Sequence, residues 1–429
     1  MKLNKVILFS TLGLALGSGL MMPQQASAKR KPSVLRVVSS EAHAKQYRVA
    51  KGTIYKNYNL TKVKAKASKY KKTVFYSSET ITVRRPNGKK AVYRTLANRY
   101  GKEFGFIWHG YAKKIKTLSW NFGDFDAPTK KSDKDNKETN FYNSSELQQV
   151  NELRSKATAI YNSTKGMYQE KPSLSGSFNP GKLNDSYIQG TVDWINYYRS
   201  FYGLSPVSSN SGWNTEAQYG AATLAAVDNG LSHGLVGFSK PSYISQSDWQ
   251  HGAEATNTSN LATGVISPED NITLYINDSG NDVPGHREWL LGGITQVGVG
   301  QANNYNDLKV FDPTGDGTDA SEIKFPNAGL FPFEASSDTR WSLSLPQRLS
   351  TSAQPTITIH DNTANKDVSV SNVIISNSGY GEFGTSISYE PDSDSIKENH
   401  SYTINISNLP NGMADVSYST KLFPIHKAD

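Results

Sequence analysis

The sequence predicts a multi-domain chain in three folded parts: a small N-terminal β module, a central α/β domain and an all-β C-terminal part. Three observations carry this. The 429 residues exceed what one hydrophobic core sustains. Positive charge is concentrated towards one end. Along the chain the apolar pattern changes from strand-like, to mixed helix and strand, to strand-only.

The first 28 residues read as a secretory signal peptide. Lys2 and Lys5 supply the charged start and Val6 to Met22 the apolar stretch, and Ala26-Ser27-Ala28 offers the small residues of a cleavage site. Lys29 is then the first mature residue. No later segment approaches the ~20 apolar residues of a spanning helix, so no transmembrane segment is expected after cleavage. The chain has no cysteine, so an exported protein of this kind is stabilised by core burial without disulfides. That combination fits a Gram-positive bacterium and a secreted, cell-wall or cell-surface location.

Residues 29–118 hold about two dozen Lys and Arg against about three acids, while the rest of the mature chain is net negative. Export removes nucleic acid as a partner, and an anionic cell-wall polymer is the expected one. Ile81-Thr82-Val83 and Ala91-Val92-Tyr93 flank Pro86-Asn87-Gly88, the strongest short hairpin signal. Val74-Phe75-Tyr76 and Gly105-Phe106-Ile107-Trp108 supply further strands. With Lys51-Gly52-Thr53-Ile54-Tyr55 and Gly110-Tyr111, this stretch resembles SH3-like or surface-layer-type attachment modules of lactobacillar exported proteins. The resemblance implies wall attachment.

Residues 119–182 read as a linker with a weak helix, polar and repetitive around Lys130 to Lys137. The central domain is expected over 183–345. Val192, Ile195 and Tyr202 mark a helix ending at Gly203, and Thr215-Glu216-Ala217-Gln218 reads as a capping box opening a second helix that stops at Gly230. Gln296 to Gly300 and Leu308 to Phe311 read as neighbouring strands. Over 346–429, short alternating runs at Thr356–Ile359, Val368–Val370, Thr385–Tyr389, Tyr402–Ile406 and Val416–Ser419 predict an Ig-like β-sandwich.

Candidate chemistry lies in the central domain. His233, His251 and His286 occur there with Glu254, Glu269, Asp278 and Asp282. There is no HExxH, no phosphate-binding Gly loop and no Gly-x-Ser-x-Gly elbow. By spacing alone, two imidazoles and one or two carboxylates fit either a Zn²⁺ site or a metal-free hydrogen-bonded polar cluster. Asp312, Asp316 and Asp319 resemble a calcium loop, but Ile323 stands where its closing Glu belongs, and a polar turn is expected.

The order of motifs adds a second resemblance. Ile195-Asn196 with Arg199, Leu231-Ser232-His233, Ser259-Asn260-Leu261-Ala262, Gly285-His286-Arg287 with Trp289-Leu290-Leu291, and Val297-Gly298-Val299-Gly300 follow one another as in a bacterial CAP domain. The resemblance implies an α-β-α sandwich whose surface cleft holds two histidines and two acids. His233 and His286 take the histidine places and are the candidate metal ligands. Asp278 takes the later acid place. Ser259 stands where the earlier Glu is usual, and Glu254, in Gly252-Ala253-Glu254-Ala255-Thr256, is the nearest replacement, expected to approach the cleft from the same loop. No catalytic residue is assigned, and the expected role is binding an unknown ligand or protein partner in the cleft. The rival roles are a metal-dependent hydrolase acting on peptide or wall polymer, and a structural or adhesive surface protein.

Overall fold

A computed structural model describes residues 33–39, most of 45–114, 138–311 and 320–426. The expected signal peptide, the charged stretch before 138, Pro86 and Asn87 of the expected turn, and Asp312, Asp316 and Asp319 fall outside the described residues. The chain divides into two compact units, residues 7–127 and a second dominated by 128–429. No described helix is long and apolar enough to cross a membrane.

The first unit is a β module. Strand β3 (Thr53–Tyr55) lies between β4 (Val63–Lys66) and β8 (Glu103–Trp108), and the order continues through β7 (Lys90–Ala97), β5 (Phe75–Ser77), β2 (Lys45–Val49) and β9 (Ala112–Lys114). The expected strands pair as a hairpin, β6 (Glu79–Arg84) against β7 with Ile81 opposite Tyr93. Strand β1 (Ser33–Ser39) adds to β6. Alternation sends Phe106 and Ile107 to opposite faces, and each joins its own small core. Val49, Ile54, Phe75, Leu96 and Ile107 make one, and Ile81, Val83, Tyr93 and Phe106 the other.

Early in the second unit, the weak helix expected within 119–182 forms as a full 20-residue helix. Helix α1 (Ser144–Ser163) is opened by a capping box, Asn143 with Glu146, and buries Val150, Ala157 and Ile160 in the main core. Its buried positions are few among many polar ones, which explains why the sequence read as weakly helical.

The α/β core is a four-stranded sheet in the order β12 (Ser208–Ser209), β14 (Gln296–Ala302), β15 (Tyr305–Lys309), β13 (Ser259–Thr263). Alternation assigns its two faces. Val297, Val299, Leu308 and Val310 pack with Ile195 and Tyr198 of α2 (Asp185–Ser200). Gly298 and Gly300 face α3 (Ser211–Val227), whose backbone sits so close that a Cβ on Gly300 would lie 2.1 Å from Ala217 O. Helices thus cover both faces, as an α-β-α sandwich requires.

Helix α3 departs from its expected ends. Asn210 accepts from the N–H groups of Gly212 and Trp213, so the helix starts about one turn before Thr215. Gln218 is buried and bonds Pro180 O and the Gln301 backbone instead of capping. At the far end Asp228, at φ 49°, stops the helix before Gly230.

The boundary expected at 345/346 does not separate two sheets. Strand β18 (Trp341–Leu345) pairs with both β16 (Ile323–Phe325) and β22 (Thr385–Pro391), and β22 pairs with β21 (Val370–Ser376). Strand β17 (Gly329–Pro332) runs parallel to β24 (Val416–Phe423) in a second sheet completed by β23 (His400–Ser407), β19 (Thr356–Asp361) and β20 (Lys366–Val368). Trp341 and Tyr402 bring the two sheets together, ring to ring at 5.8 Å. One core cluster runs from Tyr142 to Ile425.

Candidate functional site

Helix α5 (Pro268–Asn277) starts at Ser267, whose hydroxyl accepts from Asp270 N, and ends at Asp278 in the left-handed conformation, φ 54°. Asp tolerates this backbone better than most side chains. The turn returns the chain into α6 (Gly285–Leu291), carrying His286 back over Asp278. Asp278 Oδ1 lies 2.8 Å from His286 Nδ1 and accepts from Asn281 Nδ2 at 2.6 Å, while Oδ2 accepts from Arg287 N at 3.2 Å.

The carboxylate is fully buried, and the ring is 27% exposed. Burial alone would raise the Asp278 pKa, yet the hydrogen bond and charge of His286, with Arg287 and Asn281, hold it below the usual value. Burial works against a charged His286, and Asp278 outweighs it, so the imidazole stays protonated above its ordinary value. Tyr275 lies beside the ring, centroids 5.4 Å apart, and is anchored by its hydroxyl to Asn260 O and Asn306 Oδ1.

His233 is held differently. It sits in a single turn, His233–Leu235, and its Nδ1 lies 2.8 Å from Thr256 O. A carbonyl only accepts, so Nδ1 carries a proton and Nε2 is the ring nitrogen that this bond leaves over. The chain from Thr256 then reaches Asn260, whose amide donates to His286 O at 3.1 Å. These five residues span at most about 14 Å, so both histidines attach to opposite ends of one short segment.

The remaining candidates are not drawn in. Glu254 stands on the exposed face of helix α4 (Gln246–Asn257), not on a loop as the sequence suggested. His251 is on the same helix, its ring 5.2 Å from Tyr219. Ser259 donates to Ala255 O at 2.8 Å, so its hydrogen is committed to helix α4. Among the described residues no three His, Cys, Asp or Glu side chains are grouped to hold a metal ion. An imidazole Nε2 suits zinc, but a structural or catalytic zinc site needs at least three protein donors brought together. The residues present therefore do not make a closed site.

Residues 192–311 match the family model described as "CAP: Cysteine-rich secretory protein family". The chain carries a CAP domain. Comparisons with curated proteins and with solved structures return no match. The matched stretch covers the CAP helices α2 to α6 and the four-stranded sheet, and it stops before the strands shared with the C-terminal sheets.

Two buried acids of this region escaped the sequence reading. Asp307 on β15 points at α3, against Gly220, and neither of its oxygens has a hydrogen-bond partner. Burial pushes it up to about 8, only partly offset by the charge of Lys309. Glu288 on α6 accepts from Ser344 Oγ at 2.8 Å, and burial pushes it up to about 7. A polar residue at an inward strand position was the available signal for Asp307. An open depression along α1, lined by Leu147, Asn151 and Ser155 among others, shares no residue with the CAP site.

Proposed function

We propose that this is an exported CAP-domain protein, held at an anionic cell wall by its basic N-terminal module, whose CAP site binds a ligand or protein partner. The observation that carries the binding role is the His286–Asp278 pair. It offers one partly exposed imidazole whose hold on its proton is strengthened by a buried carboxylate, while Ser259 bonds helix α4 and Glu254 faces solvent. A hydrolase needs a nucleophile or an activated water set against an oxyanion site, and these side chains supply neither. Leu231 and Val236 flank His233 and are 41% and 78% exposed, an apolar border suited to a hydrophobic ligand or a protein surface.

Attachment rests on charge. Lys51 lies over half-buried Tyr111, and Arg85 and Arg94 lie over the buried rings of Tyr93 and Tyr47, so these cations are seated on the module's aromatic side chains. Such a surface suits a phosphate-bearing glycan polymer, and its attraction is screened by salt. The test compares the full chain with one starting at Pro128 on isolated walls at rising salt. The full chain is expected to bind and to elute as salt rises, and the shorter one to wash through. Equal retention would remove the attachment role.

The alternative, a metal-dependent hydrolase, is favoured by one observation. Both histidines use Nδ1 internally, which leaves Nε2 of each for a metal, the arrangement carboxylate- and carbonyl-anchored ligands adopt. Peptidoglycan cleavage lost in His286→Ala would establish it.

A further inference from the structure

We infer that the C-terminal strands are a working part of the His286 site: the Tyr380–Glu382 turn forms one wall of it, and the strands behind that turn position the imidazole. The family match ends at Phe311, so nothing in it covers these residues.

Contacts converge on the His286 helix from three places. Gly285, the residue before His286, packs beneath Tyr380, where a Cβ would stand 2.9 Å from the ring. Tyr380 itself remains 40% exposed beside that position. Gly381, at φ 60°, lies so near Glu288 O that a Cβ there would be 2.0 Å away, and its carbonyl accepts from Gly293 N at 3.1 Å. Ser388 of β22 donates to Asp282 O at 2.7 Å, holding the loop between Asp278 and His286.

The buried Arg287 completes the clamp. Its guanidinium donates to Ser342 Oγ and Arg340 O at 3.0 Å each, and to Ile276 O and Asn277 O on the CAP side. It also lies 3.5 Å over the Phe325 ring. Arg287 N is the group that donates to Asp278 Oδ2. The backbone that aligns Asp278 with His286 is therefore fixed by side chains and carbonyls from 325–342 and by the 380–388 segment.

Two consequences follow for the site. A ligand that offers an acceptor to the protonated imidazole meets the Tyr380 ring as a second contact, so the site takes molecules combining an acidic or carbonyl oxygen with an apolar face. Loosening the clamp opens the Asp278–His286 contact and leaves the ring of His286 less firmly placed. The ligand contact rests on the binding role proposed above, but the positioning does not, and it is tested on the ring itself.

The experiment uses the full chain with Ser388→Ala, Tyr380→Ala and, as control, Tyr161→Ala, exposed on α1. The His286 ring is followed by proton NMR at one fixed pH for its contacts with Asp278 and Tyr275, and its modification by diethyl pyrocarbonate is timed. In Ser388→Ala the ring resonances are expected to shift and those contacts to weaken, because the loop before His286 has lost its tether to β22. In Tyr380→Ala the ring is expected to react several-fold faster. Tyr161→Ala should alter neither, and thermal melting checks that each variant is folded. A change in either test variant sustains the coupling. Ring spectra and rates equal to the parent in both overturn it, whatever the wall-binding or ligand experiments return.

Discussion

Asp278 and His286 meet at 2.8 Å because one helix ends in a left-handed turn and the next begins within eight residues. The carboxylate is buried with three donors around it, and the imidazole reaches solvent. Each partner shifts the other towards its charged form, so the pair titrates as a coupled unit.

Asp278→Asn should therefore drop the His286 midpoint below the ordinary imidazole value, since burial then acts unopposed. A loss of about 2 kcal/mol is expected, the scale of a hydrogen bond between charged groups. The lowered Asp278 contributes stability above its unfolded value that is lost as pH falls through its folded one. The raised His286 contributes stability that is full below its unfolded value and lost as pH rises through its folded one. The variant's deficit should be greatest in mildly acid solution, between those limits. Ring NMR and urea melts across pH check both statements.

Asp307 makes the opposite prediction. Its folded pKa of about 8 lies far above the unfolded 3.8, so the folded chain holds a proton that the unfolded chain releases across that interval. Stability from this residue is full below the unfolded value and falls by about 1.4 kcal/mol per pH unit up to the folded one. Asp307→Asn should flatten the pH dependence of Tm between those values. A slope unchanged in the variant would show that another group carries it.

Gly300→Ala tests the approach of α3 to the sheet. The added methyl would meet backbone, Ala217 O at 2.1 Å, which cannot rotate away. Destabilisation of about 1–3 kcal/mol or more is expected, read by denaturant unfolding.

A chain cut after Leu345 should not fold as a CAP domain. It keeps β17 and β18 but loses β24 and β22, their partners, and leaves apolar faces such as Phe331 and Trp341 uncovered. Circular dichroism and limited proteolysis should show a partly unordered, rapidly digested product, whereas residues 128–429 should melt cooperatively.

For the same reason, a cleavage assay belongs on the longer form. Incubated with peptidoglycan, with or without Zn²⁺, it is expected to release no fragments above buffer, as the binding role requires.

Much of this was legible from local pattern. The Ile81–Tyr93 hairpin, the C-terminal alternating runs and the helix ending near Gly203 all follow from period and turn chemistry, which act over a few residues. Asp278 and His286 stood in the sequence only as members of a motif order, because nothing local states that a turn will join them. Glu254 misled because Gly252-Ala253-Glu254-Ala255-Thr256 looks like a loop, whereas Thr223 packs on Gly252 and draws the segment into a helix. The break at 345 failed for a different reason. Alternation shows that a residue run is a strand but not which strand will lie beside it, and here the partners come from 40 to 90 residues further on.

The parallel pairing of Gly329–Pro332 with Val416–Phe423 sets a timetable. The first of these strands is synthesised about 90 residues before the second, and hydrogen-bonds to it residue for residue, Gly329 opposite Thr420. Until the chain is almost finished, one strand beside the CAP core waits without that neighbour. Contacts so distant in sequence form late and slowly. A chain threaded through a membrane in extended form would meet no complete native state to trap it on the inner side, and would reach one only after its last strand had crossed.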